Sequence, residues 1–127
     1  MPEAPLRLLL VDDETGFLDV LGKRLAKRGF QVATAPGGAE AIRILRDRDF
    51  DVAVLDLKLG DMDGIEVLDV FKKMVPELPV IMLTGHGSEQ AARDGLGHGA
   101  FDYLLKPCDL DALLAKIREA VGREETE

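Results

Sequence analysis

Short aliphatic runs that stop dead at a polar residue recur along this chain, and helical spacing fills the gaps between them. Residues 6–11 stop at Asp12 and Asp13, 52–55 at Asp56, 79–83 at Thr84 and 103–105 at Lys106, while 31–35 read as a further short strand. Strands apolar on both faces belong in a parallel sheet covered by helices, because a sheet with one wet face would alternate. Residues 15–28 carry Phe17, Leu21 and Leu25 on one face and end at Gly29. Residues 38–48 do the same with Ala41, Ile42 and Leu45, and Leu68, Phe71, Met74 and Val75 keep helical spacing up to Pro76. A weaker helix is expected over 88–96. The last follows Asp109, placed to cap it, with Leu110, Leu113, Leu114, Ile117 and Val121 as its apolar stripe. Strict alternation predicts one α/β domain with a three-layer, doubly wound architecture, strand order 2-1-3-4-5, and helices on both faces.

With 127 residues, the chain fits a single domain, its core expected over about 6–121, the tail from Gly122 charged and frayed. A domain of this size hides roughly two-thirds of its unfolded surface, so no disulfide is needed. Cys108 has no second thiol to pair with and reads as a small packing residue. At 46% hydrophobic and 31% charged, the composition is that of a globular protein. No apolar run approaches the roughly 18 residues of a membrane span, and the N-terminus lacks a basic start and an apolar stretch, so the expected address is the cytoplasm, with no membrane partner. A net charge of −8 argues against direct nucleic-acid binding by this chain.

Ligands of an open parallel sheet bind beyond the carboxyl ends of the strands, where the strand order reverses. That is where Asp12, Asp13 and Asp56 would meet, with Thr84 and Lys106 beside them. Crowded carboxylates repel unless a cation sits among them, and Mg²⁺ prefers such hard oxygen ligands. Phosphoryl transfer needs the same parts: a metal, an oxygen nucleophile such as an aspartate, and donors for the equatorial oxygens. Thr84, Lys106 and the backbone N–H of Gly85 could donate. Each residue alone has a structural explanation as a turn, cap or surface charge; five together at four strand ends do not. Asp61 and Asp63 read as a turn and a helix start, His86 as a wall of the site, and His98 as surface.

The motifs Leu-Leu-Val-Asp-Asp-Glu, Val-Leu-Asp-Leu, Asp-Met-Asp-Gly, Leu-Thr-Gly and Tyr-Leu-Leu-Lys-Pro, in this order over residues 6 to about 121, resemble the response-regulator receiver domains of two-component signalling, the CheY-like family. The resemblance implies a flavodoxin-like fold with Asp56 as phosphoacceptor. It implies Mg²⁺ held by Asp13 directly, by Asp12 through water, by Asp56 and by the carbonyl of Lys58. Thr84 and Lys106 would bind the phosphoryl group, Tyr103 would be the switch aromatic that follows Thr84, and the Lys106-Pro107 bond would be cis. Implied partners are a sensor histidine kinase or phosphotransfer protein and an output domain or downstream protein. Such a domain is an enzyme only towards itself, in its own phosphorylation and dephosphorylation. Gly60 departs from the family, where a proline is usual, and leaves that turn looser.

Three rivals compete. A flavodoxin-type carrier needs a Ser, Thr and Gly-rich phosphate loop where this chain has Asp12-Asp13-Glu14, and a binding-only pseudo-receiver would lack part of the site. An aspartyl phosphatase places its nucleophile in an Asp-x-Asp arrangement at the first strand; here the pair is adjacent, which on an extended strand would point the side chains apart. Finally, Gly95 and Gly97 fall inside the fourth helix, which has Leu96 as its large apolar residue. That helix should be short and easily frayed.

Overall fold

The computed structural model describes residues 4–85 and 87–122. Ten elements alternate without exception: β1 (Arg7–Val11), α1 (Thr15–Lys27), β2 (Gln31–Ala35), α2 (Gly38–Asp47), β3 (Val52–Leu55), α3 (Gly64–Met74), β4 (Val80–Thr84), α4 (Glu89–Gly97), β5 (Asp102–Leu105) and α5 (Leu110–Val121). All strand pairs are parallel, and the order is β2-β1-β3-β4-β5. This is the doubly wound α/β architecture that the alternation predicts, and the flavodoxin-like fold that the resemblance implies.

Successive side chains on a strand point to opposite faces, and the core divides accordingly. On β1, Leu8 and Leu10 join α1 and α5 through Leu21, Leu25, Leu113 and Ile117. Leu9 and Val11 join α2, α3 and α4 through Ala41, Leu45, Val67, Phe71 and Ala92. β3 and β4 split in the same way, Val54 and Ile81 to the first cluster, Leu55 and Met82 to the second. The three inner strands are buried end to end apart from Arg7, whereas β5 is half-buried along its length because it is an edge strand.

α4 corrects an expectation. At nine residues it is indeed the shortest helix, but Leu96 points outward and Ala92 and Gly95 are the residues buried beneath it. A Cβ on Gly95 would collide with the side chain of Met82 and press on Ile65, so this glycine lets α4 lie close on β4; Gly97 has open space around it. Asp109 sits at the N-cap of α5 without making a side-chain cap bond. Among the described residues, no helix is long and apolar enough to cross a membrane.

Candidate functional site

The parallel register fixes the site. β1 and β3 lie side by side with Val11 opposite Leu55, so the next residue of each strand, Asp12 and Asp56, emerges at the same edge. Backbone bonds secure the strand ends: Asp56 N–H donates to Val11 O at 3.0 Å, and Lys106 N–H to Thr84 O at 2.7 Å. Asp12 and Asp56 are 2% and 5% exposed, Asp13 is open to solvent, and one carboxylate oxygen from each lies within 4.8 Å of the others. The expectation that adjacency would turn Asp12 and Asp13 apart therefore fails. Both lie beyond the last residue of β1, where strand alternation no longer applies.

Lys106 reaches across from the end of β5. Its Nζ donates to Asp12 Oδ2 at 2.6 Å, to Glu14 Oε1 at 3.0 Å and to Asp56 Oδ2 at 3.4 Å, and sits 4.4 Å from the centre of the Phe17 ring. Burial alone would lower its pKa, but the bonds to Asp12 and Glu14 and the charges of Asp56 and Asp12 outweigh it and hold the ammonium ionised well above the ordinary lysine range. For Asp12 the balance runs the other way. Its burial lifts the carboxyl above its usual range despite the bonds from Lys106 and the Glu14 amide. Glu14 and Phe17 are site residues that the strand-end pattern does not reveal.

A divalent cation fits this donor set: three converging carboxylates, two of them buried, are offset by one ammonium that is itself shared with Glu14. The loop after Asp56 is braced to hold its carboxylate. Lys58 N–H donates to Asp56 Oδ1 at 3.4 Å, Lys58 and Asp63 form an isolated antiparallel bridge, and Gly64 lies so close to the Leu57 backbone that a Cβ there would collide with it. Asp63 caps α3 through Ile65 N–H at 2.9 Å. Asp61 instead caps a different helix: it accepts from Gly38 and Ala39 N–H at 2.9 and 3.0 Å, doing for α2 what Gly37 cannot, and these bonds hold its carboxyl below the usual range.

Thr84 ends β4 fully buried, and its Oγ1 has no hydrogen-bond partner among the described residues; it is not bonded to Asp56. Tyr103 lies half-buried with its hydroxyl 3.5 Å from Arg93 Nε on α4, and Arg93 is also paired with Glu89 at 2.6 Å. The Lys106-Pro107 bond is cis, as the resemblance implies. Cys108 is half-buried and its burial raises the thiol pKa, in keeping with packing. His98 is at the surface, where its Nδ1 meets Asp69 Oδ1 at 2.8 Å and links α4 to α3. His86 lies outside the described residues.

Two buried carboxylates, a third at the surface and one lysine, at the switch point of a 2-1-3-4-5 sheet, define a class of parallel α/β domains with a site that could hold a metal ion. Residues 8–118 match the family model for the response regulator receiver domain, and the chain belongs to that family. It is 42% identical over 121 residues to the transcriptional regulatory protein GlrR of Escherichia coli, covering 95% of this chain and 27% of that protein. It is 38% identical to the alginate biosynthesis transcriptional regulatory protein AlgB of Pseudomonas aeruginosa, with 94% and 27% covered. The chain thus spans about a quarter of these relatives. Among solved structures, a response regulator receiver domain from Clostridium thermocellum superposes with a TM-score of 0.88 at 34% identity, covering 92% of this chain and 94% of that one. NtrX from Brucella abortus gives 0.88 at 34%, covering 94% and 27%.

Proposed function

We propose that Asp56 accepts a phosphoryl group from a phosphohistidine of a sensor kinase or phosphotransfer protein, with Mg²⁺ bound, and that the domain later hydrolyses the acyl phosphate itself. The observation that carries this is the position of the Asp56 carboxylate between two other carboxylates and the Lys106 ammonium. Asp13, Asp56, the Lys58 carbonyl and, through water, Asp12 would hold the metal, whose role when bound is to neutralise the charge that gathers on the transferring group. An Asp56 oxygen attacks phosphorus in line while the phosphohistidine nitrogen leaves. Lys106, its ammonium held ionised, then turns from Asp12 and Glu14 to an equatorial oxygen, and Thr84 and Gly85 N–H donate to the others.

Thr84 has a reason to move, since its buried hydroxyl has no partner among the described residues and would gain one at the phosphoryl group. Tyr103 would follow it inward, giving up Arg93 and reshaping the α4, β5 and α5 surface for an output domain or downstream protein. The transcriptional relatives fit that arrangement in a longer protein; this acidic chain would itself contact no nucleic acid, would not engage membrane, and would work in the cytoplasm.

Incubation with a small phosphodonor and Mg²⁺ should add one phosphoryl group by intact mass. Asp56→Asn should add none. Labelling of the Asn variant, or labelling that survives chelation of the metal, would refute the assignment.

A further inference from the structure

Two side-chain oxygens beside the site are buried and lack a hydrogen-bond partner among the described residues: Thr84 Oγ1 and Ser88 Oγ. They bracket the turn between β4 and α4. The proposed function gives Thr84 a task and leaves Ser88, only 4% exposed, with none. Ser88 stands at the N-cap of α4 and is a residue type that ordinarily caps, yet it makes no cap bond. Its backbone explains why: φ −112° and ψ 11° lie outside the extended region, whereas Asp63, which does cap α3, has φ −69° and ψ 131°. Its amide reaches Gly85 O at a long 3.4 Å, and Gly87 between them has φ +88°. The turn therefore strands a capping hydroxyl and leaves a helix without its side-chain cap.

We infer that Ser88 is a positioning residue whose hydroxyl gains a partner together with that of Thr84. When Thr84 is drawn to a phosphoryl group on Asp56, the turn shifts, Ser88 becomes extended, and its Oγ caps α4 by accepting from Gln90 or Ala91 N–H. An unpaired buried hydroxyl disfavours the unmodified arrangement, and a new cap favours the other, so both effects push the equilibrium the same way. This rests on Asp56 as the phosphoacceptor.

The test compares wild type, Ser88→Ala and Ser88→Thr by amide exchange and melting, with Mg²⁺ alone and with Mg²⁺ plus beryllofluoride as phosphoryl mimic. In wild type and Ser88→Thr, the Gln90 and Ala91 amides should gain about fivefold protection on adding the mimic, the factor a single cap supplies. In Ser88→Ala that gain should vanish and the rise in Tm caused by the mimic should shrink, while the protein without mimic melts no lower than wild type. Equal gains in wild type and Ser88→Ala, or an equal loss of Tm with and without the mimic, would overturn the inference. If the mimic changes neither melting nor exchange near Asp56 in wild type, the phosphoacceptor assignment fails and the inference falls with it.

Discussion

Asp12 touches an ammonium and is still harder to ionise than a carboxyl in water, because burial outweighs the bond. Its folded pKa lies above its unfolded value, about 3.9. The native state thus holds this proton more tightly than the unfolded chain, and without metal the contribution of Asp12 to stability is lost as pH rises from its unfolded pKa through the raised folded one. Mg²⁺ favours the ionised form. The increase in Tm that it produces should therefore grow as pH rises from the unfolded carboxyl range, by differential scanning fluorimetry; an increase that shrinks with rising pH would show that Asp12 does not feel the metal. Asp13→Asn should stabilise the metal-free protein by roughly 1 kcal/mol, by removing one of three converging charges, and should weaken Mg²⁺ binding. Loss of stability without metal in that variant would mean that the carboxylates do not repel. Asp12, Asp13, Asp56, Thr84 and Lys106 are legible in the sequence because each ends a recognisable strand. Glu14 is not, since it ends no strand: it stands at the N-cap of α1, and its tie to Lys106 shows only in the closed fold.

At the scale of elements, the two glycines of α4 make opposite predictions. Gly97→Ala adds helix propensity in open space and should stabilise by up to about 1 kcal/mol. Gly95→Ala should destabilise, by roughly 1–3 kcal/mol, because its methyl meets Met82. Urea melts of the two variants decide this; stabilisation by both would mean that α4 does not rest on β4 as described. The strand and helix periods were enough to place all ten elements, since runs such as 52–55 and 79–83 have no other home than the inside of a parallel sheet. They were not enough to show how α4 packs. A glycine that frays a helix and a glycine that lets it dock read identically until the neighbouring strand supplies Met82. Asp61 shows the same limit: it reads as part of a turn, yet the helix it caps begins 23 residues earlier.

For the whole molecule, the sheet separates two apolar clusters that share no residue. Leu68→Ala on α3 should cost about 2–5 kcal/mol and Ile117→Val on α5 about 0.5–1.5 kcal/mol. Because they lie on opposite sides of the sheet, the double variant should show the sum to within about 0.5 kcal/mol in urea melts. A larger discrepancy would mean that strain crosses the strands. Independence of this kind has a consequence for descent. Changes on the side of α2, α3 and α4 can accumulate and be selected without retuning the packing of α1 and α5, so two surfaces of one small domain can diverge at different rates while the carboxylate edge between them stays fixed.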